Sequence, residues 1–138
     1  MPKRLLLNIA NRRQQSETDC LAACTAMMLD ACGIQLPYRR LLAVLDIKSW
    51  GTPHRNIREI ASIVPHIHVI YQQGELIDLR LALDAGLPPT AFIWTGELPY
   101  WSTKTWHAIV IVGYNAQNFY INDPAFDTAP QPVSEGDF

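Results

Sequence analysis

Residues 14–24 read QQSETDCLAAC, a polar loop that runs into a helix and places a thiol at the junction. Thr18 and Asp19 favour the position before a helix, because a short side-chain oxygen can accept from the free N–H groups of the first turn. The residues that follow are strong helix formers, and the pattern predicts a helix over residues 19–31, stopped by a glycine. Cys20 is therefore expected in the first helical turn.

The start of a helix is a suitable place for a reactive cysteine. The helix dipole and the unpaired N–H groups stabilise negative charge there, which favours the thiolate, the attacking form of cysteine. The competing interpretation of Cys20 is a small buried apolar residue, a common environment for a free cysteine. The choice between the two interpretations depends on residues far downstream.

Length and composition are those of one globular domain spanning residues 1–138. A net charge of -2 and the lack of a basic run give no reason to expect nucleic acid or an anionic membrane as partner. No apolar run is long enough to cross a bilayer. Residues 1–10 lack the cleavage site of a signal peptide and are interpreted as an edge strand or arm.

The three cysteines, Cys20, Cys24 and Cys32, all fall in or directly after one predicted helix. Thiols on a single helix are poorly placed for a disulfide, so a reducing, cytoplasmic setting is expected.

His54, His66 and His68 are the residues that suggest a metal site, but no cysteine or acidic pair is spaced to complete it. No metal or cofactor is expected.

Hydrophobic periodicity predicts helices in the first half of the chain and strands mainly in the second. The predicted helices are 19–31, 37–45, a segment opened by Thr52-Pro53 with Ile57, Ile60, Ala61 and Val64 inward, and 75–85. The predicted strands are 67–71, 89–94, 106–114 and 118–122, the last two joined by a tight connection at 115–117. This segregation indicates an α+β fold, with a helical half packed on an antiparallel sheet.

A second group of polar residues falls at the ends of the last two predicted strands. His107 begins the more apolar strand, and Asp123 ends its neighbour just before Pro124. Because the start of one strand lies beside the end of the next in an antiparallel hairpin, the two side chains should meet. The carboxylate can then fix the imidazole tautomer and leave one nitrogen for a nucleophile. The alternatives are an ordinary hydrogen-bonded histidine and an Asp-Pro that only opens a turn.

With these residues the chain resembles the papain-like cysteine peptidases of the bacteriocin-leader-processing, or double-glycine peptidase, family. The family pattern has a glutamine six residues before a cysteine at a helix start, an acid directly before that cysteine, a histidine opening an apolar strand, and an Asp-Pro closing the next strand. The matching residues, within a resemblance that extends from about Arg13 to Ala125, are Gln14, Asp19, Cys20, His107 and Asp123-Pro124.

The resemblance implies a role for each matched residue. Cys20 attacks the scissile carbonyl and forms a thioester. His107 takes the thiol proton and later gives one to the leaving amine, while Asp123 orients the imidazole. The Gln14 amide and the Cys20 backbone N–H form the oxyanion hole. Gln15 is the neighbouring candidate for the same role, and only the family spacing favours Gln14 over it.

The chain departs from the family pattern at two places. Leu21 stands where the family usually has glycine, and it either crowds the pocket or packs inward along the helix. The chain stops at Phe138, where family members usually continue through another strand or two, so the domain is expected to be truncated or completed otherwise.

Family members linked to a peptide exporter trim a leader after a pair of small residues. Leader processing here would need a narrow slot near Cys20, walled by Trp101 and Trp106. Residues 98–102 are expected to form an exposed loop beside His107 that gates the cleft.

Three functions stay open: a thiol peptidase, a thiol amidase or acyltransferase on the same triad, and a peptide-binding domain of the same fold without catalysis. The expected partner is a peptide or protein substrate. A partner chain or transporter is not identified by the sequence.

Overall fold

The centre of the molecule is strand β3, the longest strand of an antiparallel sheet in a computed structural model that describes residues 4–138. The strands are β1 (Leu5–Leu6), β2 (Thr90–Trp94), β3 (Trp106–Tyr114), β4 (Asn118–Asn122) and β5 (Gln131–Ser134). The helices are α1 (Cys20–Ala31), α2 (Tyr38–Val44), a 3-10 helix (His54–Ser62) and α3 (Leu76–Asp84), with two short 3-10 turns at Thr95–Glu97 and Glu135–Asp137.

Both edges of β3 are paired. On one edge it pairs with β2 along its first half and with β1 at its end, and on the other edge it pairs with β4. A methyl group at Gly113 would overlap the Leu5 carbonyl oxygen, so the close approach of β1 requires glycine there. The short strand at Leu5–Leu6 confirms the edge position predicted for this part of residues 1–10, while Met1 to Lys3 lie outside the described residues.

Helix α1 is buried between the sheet and the other helices. On its sheet-facing side, Cys24 and Met27 of α1 pack against Ala108, Val110 and Val112 of β3. Its opposite side packs on α2 and the 3-10 helix. An almost wholly apolar helix is expected to be buried on all sides, which agrees with its sequence CLAACTAMMLDA. This packing places the first residue of α1 against the sheet.

The predicted strands 106–114 and 118–122 and the connection between them are confirmed, as are the helical segments near 19–31, 37–45 and 75–85. Gly33 and Gly86 follow α1 and α3 with φ angles of 71° and 81°, the left-handed conformation that ends many helices. Among residues 4–138, no helix combines the length and apolar character needed to span a bilayer.

Two predictions in the middle of the chain are wrong. Residues 67–71 form no strand; Ile67, Val69 and Tyr71 pack on the α1–α2 cluster, whereas Ile70 is 80% exposed. An alternating pattern of apolar residues indicates which side chains are buried. A strand also needs a neighbouring strand with which its backbone can form hydrogen bonds. The helix predicted after Pro53 is present as a 3-10 helix, with Ile57, Ile60 and Val64 buried as expected, but the inward position predicted for Ala61 is wrong because this residue is exposed.

Strand β5 was not predicted, and it supplies a strand after Asp123 that pairs with β4. Its sequence is short and contains Pro132, which lowers any strand prediction. Proline is nevertheless compatible with an edge strand, because its missing N–H can face away from the sheet.

Candidate active site

Cys20 is the first residue of α1 and is partly buried. Asp19 occupies the position before the helix, but its side chain does not cap the first turn, which corrects the expected capping role. Its carboxylate instead accepts from the backbone N–H groups of Gln15 (2.9 Å) and Ser16 (2.8 Å) and from the Tyr38 hydroxyl (2.7 Å). Asp19 therefore shapes the loop that precedes the thiol.

The electrostatic environment of Asp19 agrees with this role. Burial raises the pKa of the carboxyl group, but the hydrogen bonds from Tyr38 and from the loop outweigh it, so the pKa of Asp19 is lowered. The carboxylate is therefore charged at neutral pH and holds the loop by charge-assisted hydrogen bonds.

The departure at Leu21 does not crowd the thiol. Leu21 is 2% exposed and packs in the cluster between α1, α2 and the 3-10 helix. The three cysteines are free, and they differ in exposure: Cys24 is buried and Cys32 is exposed. Burial, followed by the charges of Cys20 and Asp123, raises the pKa of the Cys24 thiol well above its usual value, so Cys24 stays protonated.

His107 and Asp123 meet at the end of the β3–β4 hairpin, as the strand geometry predicts. His107 Nε2 lies 2.7 Å from Asp123 Oδ1, and the two side chains are 5% and 0% exposed. Cys20 lies close enough to His107 to raise the pKa of the imidazole. Since Nε2 faces the carboxylate, Nδ1 is the ring nitrogen left for the sulfur. The three side chains thus form a continuous chain from α1 to the residue after β4.

Each oxygen of the Asp123 carboxylate accepts two hydrogen bonds. Oδ1 accepts from His107 and from the Ala125 backbone N–H at 2.9 Å. Oδ2 accepts from the Tyr100 hydroxyl at 2.9 Å and from the Trp101 indole N–H at 2.8 Å. Residues 98–102 are therefore anchored at the site, which corrects the prediction of an exposed gating loop. Leu98 is buried as well.

Tyr100 and Trp101 were not predicted as partners of Asp123. The only local signal is that both side chains carry a hydrogen-bond donor on an apolar ring. Trp101 also packs edge-on against His107, with the ring centroids 4.9 Å apart. Trp106 instead pairs with Trp94 and is 66% exposed. Of the two tryptophans considered for a slot, Trp101 is the one that contacts the imidazole.

Burial alone would lower the pKa of His107, because it disfavours the charged form. The hydrogen bonds and the charges of Asp123 and Cys20 outweigh burial and raise the pKa of His107 from 6.5 to about 9. Burial would likewise raise the pKa of Asp123, but the bonds from His107, Ala125 and Trp101 lower it. At neutral pH the imidazolium and the carboxylate are therefore both charged, and a positive charge lies beside the Cys20 sulfur.

The raised pKa of His107 predicts a pH-dependent stability. A group whose pKa is higher in the folded than in the unfolded chain stabilises the fold fully below pH 6.5, and this contribution is lost as the pH rises through about 9. We expect the free energy of unfolding, measured by urea denaturation, to fall across that window. The His107→Gln variant should depend less on pH there, and a wild-type stability that stays constant would contradict the assignment.

Gln14 lies beside the turn that follows Asp123. Its backbone N–H donates to the Pro124 carbonyl oxygen at 2.9 Å, and its side-chain Nε2 donates to the Ser16 carbonyl oxygen at 2.8 Å. One amide N–H is thus held within the loop, and the second is left over. Gln15 is exposed and contributes its backbone N–H to Asp19.

The histidines considered for a metal are not grouped. His54 stacks face to face on Phe92, with the ring centroids 3.8 Å apart, and burial lowers its pKa. His66 and His68 are exposed. In the part of the chain that the structure describes, no three side chains of histidine, cysteine, aspartate or glutamate lie close enough together to hold a metal ion.

The fold is the α+β papain-like fold, with helix α1 packed on an antiparallel sheet. A crystal structure described as a C39-like peptidase from Bacillus anthracis matches 99% of this chain and 90% of its own, with a TM-score of 0.82 and 17% sequence identity. At that identity the match shows the fold alone. No curated protein matches the sequence significantly.

The chain belongs to the Peptidase_C39 like family, whose model matches residues 6–135. Family and fold together indicate a cysteine peptidase of the C39-like type.

Proposed function

We propose that the protein hydrolyses peptide bonds through a thioester on Cys20. The observation that supports this most strongly is the chain of contacts from Cys20, which lies beside His107, to the Asp123 carboxylate 2.7 Å from the imidazole. Such a chain activates a nucleophile and holds its base in one orientation. The partly buried state of Cys20 at a helix start supports the same role.

The reaction follows in two steps. The Cys20 thiolate attacks the scissile carbonyl carbon, and the negative charge on oxygen is held by the Cys20 backbone N–H and the free N–H of Gln14. The C–N bond then breaks as His107 gives its proton to the leaving amine, which leaves a thioester. A water molecule, deprotonated by His107, attacks the thioester and releases a carboxylic acid and the thiol. Asp123 keeps the imidazole oriented throughout.

The substrate is proposed to be a peptide or protein that binds beside the nucleophile loop. A cleft of about 540 Å³ is lined by residues 15–19 of the loop that precedes Cys20, by Leu42 and by residues 47–49. Family membership favours processing of a leader peptide after small residues. The three free thiols are compatible with the reducing conditions of the cytoplasm.

The proposal predicts that a thiol-directed probe such as iodoacetamide labels Cys20 much faster than the exposed thiol Cys32. The difference should be at least about tenfold at neutral pH, because the positive charge of His107 lies beside the Cys20 sulfur. His107→Ala should reduce labelling of Cys20 and leave Cys32 unchanged, as measured by mass spectrometry of tryptic peptides. Equal labelling of the two thiols, or an unchanged rate in His107→Ala, would favour a peptide-binding domain without catalysis.

A thiol amidase or acyltransferase would use the same thioester and differs only in the acceptor. Incubation with a peptide library, with and without an added amine, separates these reactions. Free carboxyl termini in both conditions indicate a peptidase. Amine-capped products that appear with the added amine indicate a transferase.

A further inference from the structure

Two aromatic donors hold the oxygen of Asp123 that does not contact the histidine. The Tyr100 hydroxyl and the Trp101 indole N–H both donate to Oδ2, at 2.9 and 2.8 Å, while His107 bonds Oδ1. A carboxylate held at both oxygens cannot rotate about its terminal bond. The bond to the imidazole therefore depends on contacts made on the far side of the carboxylate.

The two donors are themselves locked in place. The Phe126 ring packs edge-on against both Tyr100 and Trp101, with each pair of ring centroids 5.2 Å apart. Asn11 donates from its side chain to the backbone carbonyl oxygens of Phe126 (2.8 Å) and Asp123 (3.2 Å). The aromatic rings and the carboxylate thus belong to one rigid unit formed by three separate segments of the chain.

We propose that Tyr100 and Trp101 are positioning residues, which fix the Asp123 carboxylate toward His107 and share its negative charge. Their hydrogen bonds act on His107 indirectly, through Asp123, and Trp101 in addition packs against the imidazole ring. This inference rests on the proposed function, since it assigns the residues that support the base of that reaction.

The physical consequence concerns how strongly Asp123 holds the charged imidazole. Donors on one carboxylate compete for the same negative charge, so removing one of them strengthens the remaining bonds. The titratable groups that act on His107 are Asp123 after β4 and Cys20 at the start of α1. Burial and the nearby carboxylate raise the pKa of Tyr100, so its hydroxyl stays protonated and remains a donor across the pH range of interest.

The test is the titration of His107 by NMR in the 138-residue protein with isotope-labelled histidine. The His107 signal among the four histidines is identified by its loss in His107→Gln. Tyr100→Phe removes one hydroxyl and keeps the ring against Phe126, and it should raise the titration midpoint by roughly half a pH unit.

Trp101→Phe is the second variant and should shift the midpoint in the same direction, because it removes the other donor to Oδ2. Tyr120→Phe is the matched control; its hydroxyl bonds Asn115 rather than Asp123, and it should leave the midpoint unchanged. If the rings contributed only to packing, the variants would have a lower free energy of unfolding and an unchanged titration midpoint of His107. An unchanged or lower midpoint in both Tyr100→Phe and Trp101→Phe would overturn the proposal.

The same measurements keep the two hypotheses apart. If labelling of Cys20 does not depend on His107, the proposed hydrolysis fails, yet the NMR titration still decides whether the aromatic donors act on the carboxylate. If labelling depends on His107 but neither variant moves the midpoint, only the inference about Tyr100 and Trp101 is refuted.

Discussion

Replacing Asp123 with asparagine is expected to lower the stability by about 3 kcal/mol and to slow peptide hydrolysis by roughly 10²–10⁴-fold. The reason is that four donors converge on the carboxylate, two on each oxygen. An amide presents an NH₂ group where one of those oxygens was. In one orientation the amide NH₂ faces the backbone N–H of Ala125, and in the other it faces the indole N–H of Trp101. Neither of these groups can accept, so two donors face each other in both cases.

The loss of activity follows from the orientation of His107. If the amide NH₂ faces Nε2, the imidazole must accept there and carry its proton on Nδ1, toward Cys20. That tautomer cannot take the thiol proton. If the amide oxygen faces Nε2, the negative charge that stabilises the imidazolium is still absent, so the positive charge beside the Cys20 sulfur is less stable.

Asp127→Asn is the matched control, because it makes the same chemical change four residues later at an exposed carboxylate that pairs with Arg13. Its stability should change by less than about 0.5 kcal/mol, as for most surface substitutions. Urea denaturation and the rate of peptide cleavage are the measurements. Equal stability and activity in Asp123→Asn and the wild type would show that the buried carboxylate does not have the role assigned to it.

Removing the side chain of Gln14 is expected to slow peptide hydrolysis by on the order of 10²–10³-fold. Gln14→Ala should nevertheless leave the alkylation of Cys20 by iodoacetamide unchanged, because that displacement develops no oxyanion. Comparing the hydrolysis rate with the alkylation rate distinguishes a contribution of Gln14 to the oxyanion hole from a general effect on the thiol.

Gln15→Ala is the control for this experiment. Gln15 is exposed, and its contact with Asp19 uses the backbone N–H, which alanine keeps. Its hydrolysis rate should remain close to that of the wild type. A larger loss in Gln15→Ala than in Gln14→Ala would transfer the oxyanion role to the neighbouring glutamine.

The amino-acid sequence was sufficient to predict the elements that place Cys20, His107 and Asp123. Helix formers after a polar loop placed Cys20 at a helix start, and the short connection at 115–117 set the pairing of β3 with β4. These features depend on local propensity and on hairpin geometry, in which the positions of two adjacent strands determine each other. The hairpin brings His107 and Asp123 to the same end of the sheet, whereas the register shift between Ile111 and Gly113 is a feature that only the structure shows.

Only the tertiary structure decided which other side chains reach these residues. Nothing local indicates that Tyr100 and Trp101 donate to Asp123, or that Asp19 turns away from the helix to hold residues 15 and 16. The same holds for the inward packing of Leu21 and for β5. Periodicity identifies the buried face of an element, but the partner of a buried polar group depends on which distant segments pack together, and that is settled by the core as a whole.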